Sequence, residues 1–159
     1  PLAQLLAVVV HQEPALGQVD LIVPVPLYPR RERARGYNQA ELLAREFAHA
    51  LGLPVAPAAL ARIRDTASQT GLTPRQRREN VRGAFAVRKL RDGRSQVKGK
   101  RILLIDDVAT TGATLNACAR TLKRAGAARV EAATVARVVE WMASFGEGAA
   151  GHDSDGAAA

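Results

Sequence analysis

Cysteine is nearly absent from these 159 residues: Cys118 stands alone, which excludes an intramolecular disulfide framework and any cysteine-rich zinc site within the chain. A reducing, cytoplasmic setting is the expectation. Aromatics are scarce as well, with three Phe, two Tyr and one Trp, too few for an extensive base-stacking platform. No apolar run approaches the roughly 20 residues of a bilayer-crossing helix, so no membrane partner is expected. The opening PLAQLLAVVV lacks the basic start and cleavage-site arrangement of a signal peptide. The chain begins at Pro1 without Met, as expected of a piece of a longer product. No Ser-His-Asp or Cys-His set for nucleophilic catalysis stands out.

Positive charge, by contrast, is plentiful and uneven. Arg30 to Arg101 holds 18 Lys and Arg against 6 Asp and Glu, a local balance of +12, whereas the remainder holds 5 against 9. Such a surplus suits a phosphate-rich small substrate or a nucleic-acid backbone, and equally a merely solvated basic face. At this length one domain with its own core suffices.

The most informative stretch is Ile102 to Leu115, ILLIDDVATTGATL. A continuous apolar run reads as a strand buried on both faces, and its C-terminal end, where Asp106 and Asp107 stand, lies where open α/β sheets bind ligands. Ala109, Thr110, Thr111, Gly112, Ala113 and Thr114 then supply backbone N–H groups, small side chains and hydroxyls at the mouth of a helix, which suits a phosphate dianion. Adjacent carboxylates repel bare phosphate, so the pair is expected to face sugar hydroxyls with a bound cation nearby.

This stretch closely resembles the PRPP-binding motif of type I phosphoribosyltransferases. The resemblance implies that Asp106 and Asp107 meet the ribose 2- and 3-hydroxyls and touch Mg2+ only indirectly, through those hydroxyls or water, and that the TTGAT turn holds the 5-phosphate. It also implies an α/β fold with a mostly parallel central sheet flanked by helices and a flexible hood loop. Further blocks, RGYNQAELLA at Arg35 to Ala44, RDTASQTGL at Arg64 to Leu72, RRENVRGAF at Arg77 to Phe85 and TVAR at Thr134 to Arg137, resemble the ComF family of competence-related phosphoribosyltransferase-like proteins. By that resemblance Pro26, Leu27 and Arg30 belong to a pyrophosphate loop, and Arg77 and Arg78 cover the pyrophosphate when the hood closes. Many ComF-type proteins carry an N-terminal four-cysteine zinc module, for which this chain has no cysteines, so partner contacts of that module do not carry over.

Function stays open at this point among an enzyme transferring phosphoribosyl from PRPP to a nitrogenous acceptor with release of pyrophosphate, a binding module for single-stranded DNA or a helicase in DNA uptake, and a PRPP-sensing regulator on duplex DNA. Residues 1–145 read as the phosphoribosyltransferase-like domain and 146–159 as a flexible tail.

Elsewhere the patterning predicts a helix over Leu2 to His11, a strand over Asp20 to Pro26, and an arginine-crowded loop up to Gly36. A helix capped by Asn38, with Leu43, Phe47 and Leu51 on one face and a stop at Gly52, follows. A short strand near Val55 to Leu60 precedes a long polar loop from Arg62 to Asn80. Next come a strand over Ala84 to Arg88 and a turn at Asp92-Gly93. Leu115, Cys118, Ala119 and Leu122 read as a buried helical stripe, Arg129 to Val139 as a last strand, and Trp141 and Phe145 as folding back on the core.

Overall fold

A computed structural model describes residues 18–66, 71–109 and 111–134. Its elements are β1 (Leu21–Pro24), α1 (Pro29–Arg35), α2 (Gln39–Leu51), β2 (Leu60–Arg62), α3 (Pro74–Asn80), β3 (Phe85–Val87), β4 (Arg101–Asp106), α4 (Ala113–Arg124) and β5 (Arg129–Thr134). The expected helix at Leu2 to His11, Trp141, Phe145 and the tail lie outside the described residues. So do residues 67–70 of the expected hood, Thr110, and the last strand beyond Thr134.

The apolar run of β4 sits in the middle of a parallel sheet of order β1-β4-β5. Its side chains alternate between two helical layers. Ile102 and Leu104 pack with Leu115, Cys118 and Leu122 of α4, while Leu103 and Ile105 pack with Leu43, Ala44 and Phe47 of α2. Both faces are therefore dry, which is why the run carries no polar alternation. Each such side chain contributes about 1.5–3 kcal/mol on burial. The register starts at a clamp: Asp20 accepts from the Arg101 backbone N–H at 2.9 Å and from its Nε and Nη2 at 3.0 and 2.7 Å. Those side-chain hydrogen bonds, and the backbone one after them, hold the Asp20 carboxyl well below its usual range.

The Asn38 cap, the Gly52 stop with its left-handed φ of 64°, and the buried stripe of Leu43 and Phe47 are all present in α2. Cys118 is fully buried, as expected of a core residue. Around Asp92-Gly93 the chain turns as predicted, with Gly93 at φ 80° and Lys89 bridged to Ser95.

Three expectations are corrected. The arginine-crowded loop is the helix α1: Pro29 opens it with a φ already helical, Glu32 sits in its first turn, and Gly36 closes it at φ 83°. The strand expected at Val55 to Leu60 is divided. Val55 bridges in parallel to Ile22, whereas the antiparallel strand β2 begins only at Leu60 and pairs with β3, because Pro57 between them has no N–H to give a ladder. The stretch Arg62 to Asn80 is not a plain loop, since its end is α3. There Thr73 and Gln76 form a reciprocal capping box and Pro74 takes the first position.

Asn38 links these parts to the strand ends. Its Nδ2 donates to the buried Val25 carbonyl at 3.0 Å while its Oδ1 accepts from Ala40 N–H at 3.1 Å, so one side chain both caps α2 and fixes the exit of β1. Asn38→Ala should lose about 2–3 kcal/mol of stability in urea denaturation, the sum of a lost cap and an orphaned carbonyl. A loss under about 0.5 kcal/mol, the range of an inert surface change, would remove this role.

Candidate functional site

Parallel pairing sends the C-terminal ends of β1 and β4 to the same edge, and two adjoining cavities open there. One, of about 160 Å³, is lined by Pro26, Leu27, Asn38, Asp106, Asp107 and Thr114, with Arg35 and Arg62 at its wall. The other, of about 200 Å³, is lined by Asp106, Val108, Ala109, Gly112, Ala113 and Thr114. Asp106 and Thr114 belong to both. The acidic pair, the loop after β1 and the helix mouth thus share one crevice.

The turn into α4 depends on Gly112, which takes a left-handed φ of 69° at the N-cap, a conformation that costs a residue with a Cβ about 1–2 kcal/mol. Gly112, without a side chain, makes no cap hydrogen bond of its own. The first turn and the positive end of the helix dipole are directed at the crevice.

The two acids differ. Asp106 is the last residue of β4, 9% exposed, and its Oδ1 accepts from the Asp107 N–H at 3.0 Å. Burial first, then the side-chain hydrogen bond and charge of Asp107, push its pKa up to about 7. The strand position that brings Asp106 to the ligand edge thus also buries it. Asp107 is only partly buried and accepts from Val108 N–H at 2.9 Å.

Among the expected site residues, Asp106, Asp107, Pro26, Leu27, Ala109, Gly112, Ala113 and Thr114 line the crevice. Thr111 is exposed beside Gly112, and Thr110 lies outside the described residues. Three arginines stand elsewhere. Arg30 is directed to Asp65 at 3.9 Å, the Arg77 Nε donates to the Leu72 carbonyl at 2.9 Å, and Arg78 lines a separate cleft between α3 and α4.

Arg62 was not foreseen. At the end of β2 it reaches the crevice wall, stacks 5.5 Å from the Phe85 ring centre, and donates through Nη2 to the Thr66 hydroxyl. Its Nε is buried with no partner among the described residues, and burial pulls its pKa down. Nothing in a lone Arg at the edge of a polar stretch marks it, because its placement depends on the β2–β3 pairing.

Residues 34–141 match the family model of the phosphoribosyl transferase domain. Competence protein F of Haemophilus influenzae is 36% identical over 139 residues, covering 86% of this chain and 59% of that protein. DNA utilization protein YhgH of Escherichia coli K12 is 38% identical over 112 residues, 70% of this chain and 47% of that one. Competence protein ComFC of Bacillus subtilis is 36% identical over 118 residues, 74% and 44%. The chain spans about half the length of the curated relatives it matches. The glutamine phosphoribosylpyrophosphate amidotransferase of B. subtilis superposes with a TM-score of 0.50 over 81% of this chain and 25% of its own, at 23% identity, a likeness of fold alone.

An acid whose folded pKa is raised from 3.8 to about 7 holds its proton more tightly folded than unfolded, so the stability it contributes is full below about pH 4 and is lost as pH rises through about 7. Asp106→Asn, neutral throughout, should therefore match the parent near pH 4 and exceed it by about 2–4 kcal/mol near pH 8.5. Urea denaturation at the two pH values checks this. A difference that does not change with pH would show that Asp106 is ionised at little cost.

Proposed function

The chain belongs to the phosphoribosyl transferase domain family, among its ComF-type competence proteins, and on that premise we propose that it binds PRPP at the strand-end crevice and transfers the phosphoribosyl group to a nitrogenous acceptor, in the service of DNA uptake. The observation that carries the reading is the crevice itself. An acidic pair, the mouth of α4 and the loop after β1 line two cavities with Asp106 and Thr114 in common.

In this reading the N–H groups of Gly112, Ala113 and Thr114 and the hydroxyls of Thr110, Thr111 and Thr114 hold the 5-phosphate. Asp107, on the rim, and ionised Asp106, behind it, accept from the ribose hydroxyls. Their charge then favours the cation-like sugar that forms as the bond from the anomeric carbon to pyrophosphate breaks and the acceptor nitrogen bonds to the same carbon. Pro26, Leu27 and Arg30 are assigned to pyrophosphate. Arg77 and Arg78 are assigned to its cover, which requires α3 to move, since neither side chain lines the crevice here.

Magnesium fits this donor set. It is ordinarily held by one or two carboxylates together with substrate phosphates and water, and no group of three His, Cys, Asp or Glu able to form a protein-only cage exists among the described residues. Asp106 and Asp107 would hold it through ribose hydroxyls or water, and when bound it would offset the charge of the leaving pyrophosphate.

A second reading keeps the PRPP site without turnover, as a module that engages single-stranded DNA or a helicase. The +12 balance of Arg30 to Arg101 favours it. A strand bound through phosphates loses affinity steeply with salt, and release of pyrophosphate in the presence of nitrogenous bases separates the two readings.

Calorimetry with PRPP and magnesium should show saturable binding that Asp107→Asn weakens at least tenfold and Gly112→Ala weakens together with about 1–2 kcal/mol of stability. Absence of heat at millimolar PRPP, with no shift in melting temperature, would make the motif a relic.

A further inference from the structure

A cavity larger than either of those at the strand ends lies elsewhere. About 580 Å³ in volume, it lies between α3 and α4 and is lined by Arg78, Arg82, Arg120 and Arg124, with Glu79 and Thr121. We propose that this cleft is a second ligand site, one that takes a compact polyphosphate bearing hydroxyl or amine groups, of which a nucleoside triphosphate is the type. The proposal does not rest on the reading of the strand-end crevice: of the residues assigned there, Arg78 alone lines this cleft.

Charge is the first argument. Arg120 and Arg124 stand four residues apart on one helix and so on one face, an arrangement that like charges make unfavourable. Arg78 and Arg82 repeat that interval along α3 and its exit. All four are exposed, and none has an ion pair or side-chain hydrogen bond among the described residues. The acid in the lining is already engaged, since Glu79 pairs with Arg75 at 3.2 Å. Four uncompensated guanidinium groups around one hollow call for an anion of three or four charges. Arginine also grips phosphate through two parallel N–H bonds, where lysine offers a point charge.

Shape and the remaining lining decide what kind of anion. A hollow of this size is that of a small-molecule site. Its floor includes Val81 and Phe85, both buried, and the Glu79 oxygen other than the Oε1 held by Arg75, with the Thr121 hydroxyl oxygen, offers acceptors on the same surface. A carboxylate beside a phosphodiester strand would repel it, and Phe85 at 6% exposure is no stacking platform. Phosphates against the arginines, with ribose hydroxyls or a base amine against Glu79, satisfy both halves of the lining.

The test is calorimetry on the full chain with ATP and, separately, inorganic triphosphate, in the absence of PRPP. Saturable one-to-one binding is expected, weakened at least tenfold by R120Q/R124Q and again by R78Q/R82Q, and unchanged by Asp107→Asn. Circular dichroism verifies that each variant is folded, and unchanged PRPP binding verifies it further for R120Q/R124Q. Absence of saturable binding at millimolar ATP and triphosphate overturns the proposal. So does an affinity that the arginine changes leave intact, and so does loss of ATP binding in Asp107→Asn alone, which would put ATP in the strand-end crevice. Retention of a single-stranded oligonucleotide that needs Arg120 and Arg124, without binding of ATP or triphosphate, replaces the compact ligand by a nucleic-acid strand.

Discussion

Burial of β4 on both faces is the constraint from which the rest of the molecule follows. A strand covered on two sides cannot carry a polar residue along its interior, so Ile102 to Ile105 are at most 1% exposed and the charged residues of β4 stand at its two ends, Arg101 and Asp106. The same covering requires one helix per face, and the parallel pairing of β1, β4 and β5 requires crossovers that deliver α2 and α4 to opposite sides. The carboxyl ends of β1 and β4, the start of α4 and the Asn38 cap of α2 consequently arrive at one edge. The crevice is a by-product of how the core is closed.

That origin also explains the inequality of the two acids. Asp106 is far enough along β4 to be covered by the sheet and far enough out to touch the crevice, and its carboxyl is raised to about 7 by the lost hydration. The fold therefore holds that charge at a cost, a common arrangement where an ionisable group is shifted at a functional site. Asp107, more exposed, bears no such cost.

Much of this was legible because it depends on local signals. The apolar run, the acids and the small-residue turn stand in an order that forces strand, crevice and helix mouth, and Asn38, Gly52 and Asp92-Gly93 each announce a cap or turn by their own backbone chemistry. The errors arose where composition concealed a local signal. Arginines hid α1, although Pro29 and Gly36 bracket it, and polarity hid α3, although Thr73 and Gln76 stand at capping-box spacing. Arg62 is a different matter. It reaches the crevice only because β2 pairs with β3 at Phe85, and long-range pairing leaves no mark on the residue itself.

The basic surplus divides once each arginine is followed to its partner. Arg30 and Arg31 turn to Asp65, Arg45 to Glu41, Arg94 to Asp92 and Arg101 to Asp20, so each of these guanidinium groups already faces a carboxylate within the fold. Exposed pairs of this kind add little to stability, but they do remove charge from the field a polyanion would feel. Four arginines that have no ion pair among the described residues, Arg78, Arg82, Arg120 and Arg124, meet around one cleft between α3 and α4. Net charge counted along a chain therefore does not say where arginines gather, since Arg120 and Arg124 lie outside the basic segment altogether. The cleft they share with Arg78 and Arg82 lies along the helix whose other end opens the strand-end crevice.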